Sequence, residues 1–221
     1  MKFEIKNRFN GSVLFSLETD SLKLCLEAAI KLKVNLSCAD LRGANLRGAN
    51  LRDGIFRCAD LRGADLLGAN LLSADFSGAD FSGANLNGAN LRGASLRAAD
   101  LSGADLRGAD LLGANLHDAD LNDAHLTGAN LLGASLLGAT YTNGSKISTP
   151  PLQLLGTKYD VLILDTHIKI GCEFHSQEEW ANFTDDEIAQ MDKGALEWWK
   201  ELGELVLSMS IGHQQRIARM K

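Results

Sequence analysis

Cys172 and His175 form a C-x-x-H pair, and His167 and His213 lie in the same C-terminal stretch. A thiol and an imidazole at that spacing suit two metal ligands, or a nucleophile with its base. A structural zinc site needs a second ligand pair of matching spacing, and none follows, so no metal is expected. There is no P-loop, no G-x-G-x-x-G after a strand and no G-x-S-x-G. The expectation is a protein that is not an enzyme, with no catalytic residues and no cofactor. Nucleophilic chemistry at Cys172 and His175 is the minor alternative.

Carboxylates are the other candidates, because Asp40, Asp60, Asp80, Asp100 and Asp120 recur every twenty residues. The chain carries a net charge of −6, which argues against nonspecific binding to DNA or to an anionic membrane. Residues 1–33 hold six basic and four acidic groups, residues 34–143 eight and twelve, and residues 144–221 eight and twelve. No apolar run of signal-peptide type follows Met1 and no stretch of about eighteen apolar residues exists, so a cytoplasmic protein is expected.

The element that must position these residues is a repeat. From 34 to 143 a five-residue unit recurs without a slip, typified by Ala39-Asp-Leu-Arg-Gly43 and Ala44-Asn-Leu-Arg-Gly48, giving 22 units. The central residue is almost always Leu, or Phe at 56, 76 and 81, and Ala stands two before it, apart from Val34 and Gly54. A period of five fits neither a helix nor a flat strand. It fits a chain that turns a corner once per unit, with the large residue and the Ala pointing inward. Near-constant Ala implies a tight interior, where one more methylene would overpack. Gly suits the corner, and the Asp or Asn before each centre can hydrogen-bond nearby backbone in the turn.

These units resemble the pentapeptide-repeat family, whose consensus is A(D/N)LXX. The resemblance implies an all-β solenoid: a right-handed quadrilateral β-helix with four units, hence twenty residues, per coil. The 22 units would then make about 5.5 coils, roughly 26 Å long at strand spacing. On that geometry Cys38 and Cys58 occupy equivalent corners of adjoining coils, within disulfide reach. A reducing compartment makes free thiols the expectation.

The flanks divide the chain further. Residues 1–33 predict an N-terminal cap: alternation over 3–9, the hairpin signal Asn10-Gly11, alternation over 12–18, then a helix over 22–33. An open β-helix end needs such a lid. Residues 144–151, with Pro150-Pro151, read as a linker, and 152–221 as a small α+β domain. In that domain residues 159–170 have strand composition with a turn near 165–167, and Thr184-Asp-Asp-Glu187 is a capping box. A second helix over 195–210 carries an apolar stripe at Leu196, Trp199, Leu202, Val206 and Met209. The cap joined to such a shaft is similar to proteins of bacteriophages and prophages. The tail, in Ile170-Gly-Cys-Glu-Phe-His175, Glu-Glu-Trp180 and Ala195-Leu-Glu-Trp-Trp199, resembles a terminal module that follows other pentapeptide shafts.

With four units per coil, Asp40, Asp60, Asp80, Asp100 and Asp120 stack on one face, while the next faces mix Asn and Asp. Like charges about 4.8 Å apart repel by roughly 0.9 kcal/mol even at water's dielectric. An acidic column therefore needs compensation or a use. Arg42 and Arg62 can neutralise its first coils and leave a solvated stripe, or the column can mimic a nucleic-acid backbone. The arginines at 42, 47, 52, 57 and 62 form a basic collar expected to pair with neighbouring Asp. Outward Leu67, Leu72, Leu112, Leu132 and Leu137 form an apolar patch, suited to a homodimer or to docking of the tail.

The expected function is a non-enzymatic protein-binding inhibitor acting as an acidic DNA mimic, with no direct nucleic-acid or membrane contact. The family resemblance implies DNA gyrase as a partner. The phage-like ends imply a host-defence nuclease or CRISPR effector. The alternative is an assembly scaffold in which the C-terminal domain carries specificity and the shaft is a dimerising spacer.

Overall fold

The computed structural model describes residues 1–141, 144–148, 151–154, 157–159, 161–171 and 173–220. They fall into two compact units, Met1–Lys146 and Ile147–Lys221.

In the first unit, β1 (Lys2–Lys6) and β2 (Val13–Glu18) pair antiparallel, with Phe3 opposite Leu17 and Ile5 opposite Phe15. Asn7 Oδ1 accepts the Phe9 N–H at 2.9 Å and Gly11 takes φ +70°, which together reverse the chain. Helix α1 (Leu22–Lys31) starts at Ser21, whose hydroxyl accepts the Leu24 N–H, and it buries Cys25, Leu26 and Ala29. It ends before the expected residue 33 because Lys33 adopts φ 56°.

The cap extends the shaft's hydrogen bonding. The Asp40 N–H donates to Lys6 O at 2.8 Å and the Arg8 N–H to Cys38 O at 2.7 Å. From α1, Glu27 Oε1 accepts the Asn50 N–H at 2.9 Å and Lys23 Nζ donates to Arg47 O at 3.3 Å. Backbone groups that an open first coil would leave bare thus find partners.

Parallel bridges join the residue before each centre to the one twenty later, from Asp40 with Asp60 to Asp120 with Thr140. Four units therefore complete one coil. At each corner the central carbonyl accepts the N–H three residues on, the first of the next unit, as from Ala44 to Leu41 at 3.1 Å. The residue between sits near φ +60°, the third position of a type II turn (Gly43 +60°, Gly63 +62°). Cys58 and Ala98 hold the same corner conformation at φ 54° without being glycine. Between coils each unit makes three bonds, exemplified by Leu41 N–H to Asp60 O, Gly43 N–H to Arg62 O and Asp60 N–H to Ala39 O.

The inward Leu, Phe and Ala are buried along nearly the whole shaft. Phe56 stacks on Phe76 at 5.0 Å and 7°, and Phe81 meets Phe76 edge-on. Gly54 replaces Ala because a Cβ there would lie 2.4 Å from the Phe56 ring. In the last coil Ala124 and Leu126 are half-exposed. Strand β3 (Thr140–Tyr141) then pairs with β4 (Ser145–Lys146), and Tyr141 is buried at the central position of the last unit. Part of the expected linker is therefore strand: Gly144 turns at φ +75° and its N–H donates to Asn122 Oδ1 at 2.7 Å. Residues 149–150 lie outside the described residues.

The second unit is an antiparallel sheet of β5 (Leu152–Leu154), β6 (Val161–Ile163), β7 (His167–Ile170) and β8 (Glu173–Ser176), in that order. Helices α2 (Gln177–Asn182) and α3 (Asp185–Met191) both begin in capping boxes, Ser176 with Glu179 and Thr184 with Glu187. Helix α4 spans Ala195–Met220, well past the expected end at 210, and contains both Gly203 and Gly212. A Cβ at Gly203 would meet the Trp199 indole at 2.7 Å, so this glycine makes room for the aromatic packing. Ile163, Ile168, Trp180, Trp198 and Val206 form the core, with Trp180 Nε1 donating to Ile168 O at 2.8 Å.

Candidate functional site

The repeat fixes where every outward side chain goes, and the twenty-residue bridges place Asp40, Asp60, Asp80, Asp100 and Asp120 in one column. Each of these carboxylates also works for the turn, accepting the backbone N–H two residues later: Arg42 at 3.4 Å, Arg62 at 3.3 Å, Ser82 at 3.0 Å, Ser102 at 2.9 Å and Asn122 at 2.9 Å. Asn fills the same role in the other columns, so turn chemistry alone does not require a charge there.

The column is electrically divided. Arg42 forks onto Asp40 at 2.8 and 2.7 Å, Arg62 forks onto Asp60 at 2.8 and 2.7 Å, and Arg8 from the hairpin approaches Asp60 at 3.9 Å. The Arg42 hydrogen bond holds the Asp40 carboxyl below its usual range. Burial pushes the Asp60 carboxyl up, but bonds from Arg62 and the charge of Arg8 outweigh it and the net shift is downward. Asp60 is only 2% exposed. Of the residues expected on the binding surface, Asp60 is the one whose carboxylate is shut in beneath arginines.

Further along, Arg62 reaches Asp80 at 3.5 Å. Beyond that the bonds are neutral. Ser102 Oγ donates to Asp100 at 2.6 Å, and Asn122 Nδ2 and Thr140 Oγ1 donate to Asp120 at 2.6 and 3.0 Å. Mixed columns relieve repulsion differently, by an Asn amide donating to the Asp one coil away: Asn85 to Asp65 and Asn130 to Asp110, both at 3.0 Å. Between Asp80, Asp100 and Asp120 no amide of the column intervenes.

The collar arginines mostly pair as expected, Arg47 with Asp65 at 2.9 Å, Arg52 with Asp53 at 3.1 Å and Arg57 with Asp75. Later in the shaft Arg107 forks onto Asp105 and draws that carboxyl down to about 2. Residues 1–73 hold eleven basic and eight acidic groups, whereas residues 74–146 hold four and eight. The shaft is thus polarised along its axis. That asymmetry was countable in the sequence, because five of its eight arginines precede residue 63.

The outward leucines form a weaker patch than expected. Leu67, Leu72, Leu112, Leu132 and Leu137 are all half-buried, lying against neighbouring coils. Arg92 stands between Leu72 and Leu112 in their own column and pairs with Asp110 at 3.2 Å. Only Leu112 and Leu132 are consecutive.

In the second unit Cys172 lies outside the described residues. His175 Nε2 lies 3.2 Å from Glu173 Oε2, and its ring packs edge-on against Trp180 and Phe183. His213 is buried, with Nε2 3.7 Å from Asp165 Oδ1. Ser148 Oγ donates to that same Asp165, in the turn between β6 and β7, at 2.6 Å. Among the described residues no three His, Cys, Asp or Glu side chains are grouped to hold a metal, and no helix is long and apolar enough to cross a membrane.

A family model described as pentapeptide repeats matches eight copies, over residues 35–72, 55–93, 74–113 and 109–140. Among solved structures, alr5209, a pentapeptide repeat protein from Nostoc PCC 7120, is 48% identical. That match covers 39% of this chain and 72% of alr5209, with a TM-score of 0.38. HetL, a pentapeptide repeat protein involved in heterocyst differentiation regulation from the cyanobacterium Nostoc sp. strain PCC 7120, is 33% identical over 48% of this chain and 63% of its own, TM-score 0.25. QnrB1, a plasmid-mediated fluoroquinolone resistance protein, is 28% identical over 47% and 55%, TM-score 0.39. The chain therefore spans less than two thirds of HetL and of QnrB1. No curated protein matches it.

Proposed function

The chain belongs to the pentapeptide repeat family, and on that premise we propose that it is a non-enzymatic binding protein whose shaft acts as an acidic DNA mimic. Its target is a bacterial DNA-binding protein: DNA gyrase, or a host-defence nuclease or CRISPR effector if the chain is phage-encoded.

One observation carries the reading. Asp80, Asp100 and Asp120 run consecutively down one face, in the half of the shaft where acidic groups exceed basic ones by eight to four. Rungs about 4.8 Å apart approach the charge spacing of a nucleic-acid strand. On the neighbouring faces Asp105 and Asp110 are paired with Arg107 and Arg92, so the unpaired charge among these Asp is confined to the column itself. Asp40 and Asp60, bound by Arg42 and Arg62, are structural in this scheme, and Asp60 also faces Arg8 of the hairpin. A positively charged DNA channel would engage the later coils, and the complex would weaken with salt.

The test is binding to purified gyrase, and inhibition of its supercoiling, by the full chain and by a variant with Asp80, Asp100 and Asp120 all changed to Asn. Asn keeps the turn bonds and removes three charges. At least a tenfold loss of affinity is expected, with a shallower salt dependence. A purified defence nuclease is assayed in parallel. Undiminished binding of the triple variant to whichever target the wild type engages would remove the mimic from consideration.

The second reading is an assembly scaffold whose second unit carries specificity while the shaft is a dimerising spacer. It is favoured by the outward pair Leu112 and Leu132. Sedimentation of the full chain separates the two: a dimer that Leu112→Asn dissociates, with partner binding lost on deleting 150–221, supports the scaffold.

A further inference from the structure

At the opposite end of the shaft the repeat breaks its own rule. Of the 22 residues that precede a central position, Ile55 is the single apolar one; the others are Asp, Asn, Ser, Thr or His. An isoleucine cannot accept the N–H two residues on, so the unit loses the turn bond that its neighbours make. Its side chain is 42% exposed, the one large hydrophobic residue of the described shaft left that open. Stability is given up here on two counts.

Ile55 does not stand alone. Together with Ile30 at the end of α1 and Val34 at the first unit, it lines a groove of about 340 Å³. Leu32, between Lys31 and Lys33 in the sequence, is 68% exposed. Around that apolar lining stand Lys31, Lys33 and Arg52, all exposed. Arg52 has the local Asp53, itself over half exposed, at 3.1 Å. Among the described residues neither lysine has a carboxylate within 4.0 Å, although the protein as a whole is acidic. Lys33 and Asp53, beside the groove, both hold left-handed backbone at φ 56° and 58°.

We propose that this groove is a docking site for an acidic peptide segment of a partner protein, one that inserts a bulky apolar side chain between flanking carboxylates. Charge complementarity names the occupant: three cations against one carboxylate, ringing an apolar lining. An anionic bilayer or a duplex presents a flat or rod-like anion with no apolar side chain to fill a groove of about 340 Å³. A short peptide engages the groove alone. The site is distinct from the acidic coils and does not depend on their function.

The experiment is a random-dodecamer display selection on the full chain, with Ile55→Asn as the counter-selection. That substitution restores the residue the repeat normally places there, so its thermal midpoint should equal or exceed that of the wild type. A loss of binding then reports docking and not unfolding. The expected clones carry an aliphatic or aromatic residue flanked by Asp or Glu. Their synthetic, fluorescein-labelled peptides should bind at least tenfold more weakly to Ile55→Asn, and to Lys31→Glu/Lys33→Glu, with affinity falling at 0.5 M NaCl. The proposal is overturned if no clone distinguishes wild type from Ile55→Asn, or if the distinguishing clones lack an acidic bias. It is equally overturned if phosphatidylglycerol vesicles, not peptides, show that sensitivity.

Discussion

Replacing Asp100 by Asn removes one charge from the acidic column and leaves its shape intact. The Oδ1 atom still accepts the Ser102 N–H and hydroxyl, now held at 2.9 and 2.6 Å. Two carboxylates one coil apart, roughly 4.8 Å, repel by roughly 0.9 kcal/mol at water's dielectric. A Debye length of about 8 Å at physiological salt reduces that to about 0.5 kcal/mol. Asp100 has two such neighbours, but Asp80 is offset by Arg62 at 3.5 Å, so Asp120 supplies most of the repulsion. Asp100→Asn should therefore stabilise the first unit by about 0.5 kcal/mol at 0.15 M salt and up to about 1 kcal/mol at 10 mM.

Asp60→Asn, in the same column, should do the reverse. Its side chain is 3% exposed and forked by Arg62, so losing the charge should cost about 1–3 kcal/mol. Urea unfolding of wild type and both variants at 10 mM and 0.5 M NaCl measures the signs. Destabilisation by Asp100→Asn at both salts would mean that its charge is compensated, and the column would then present no free anionic face.

Two further outcomes follow from particular contacts. Gly54→Ala places a Cβ 2.4 Å from the Phe56 ring and 3.0 Å from Leu51 O, and should cost about 1–3 kcal/mol. In a Phe56→Leu background that penalty should largely vanish, giving a coupling of at least about 1 kcal/mol in a double-mutant cycle, and equal costs in both backgrounds would refute the steric account. Arg107 holds the Asp105 carboxyl near 2, below its unfolded value, so the stability from this pair is fully present above about pH 4 and disappears as pH falls through 2. Thermal midpoints of wild type and Arg107→Gln should converge over that interval, and a constant separation from pH 5 to pH 2 would show that the pair carries no such linkage.

The shaft was legible in the sequence because its information is local and repeated. Each unit closes its own turn, with the central carbonyl, the Asp or Asn acceptor and the left-handed corner all within five residues, and the same solution recurs. Stacking at twenty needs four such corners per coil, a number that the resemblance to pentapeptide repeats implies, and with it the column of Asp40 to Asp120 is placed by the sequence. The hairpin at Asn10-Gly11 and the capping box at Thr184 were legible for the same reason.

What the sequence did not determine depends on distances between residues far apart in it. Asp60 looks identical to Asp100 as a letter in the repeat, yet Arg8, fifty-two positions earlier, closes over one and nothing cationic reaches the other. Arg92 stands between Leu72 and Leu112 by the period alone, but only the fold turns its side chain toward Asp110. Ile55 reads as a lapse in the pattern, and only the end of α1 folded beside it makes a groove with a basic margin. Periodicity fixes backbone position, because every unit solves the same local problem. Surface chemistry is decided by which flexible side chains meet across coils and at the cap, and those meetings exist only in three dimensions.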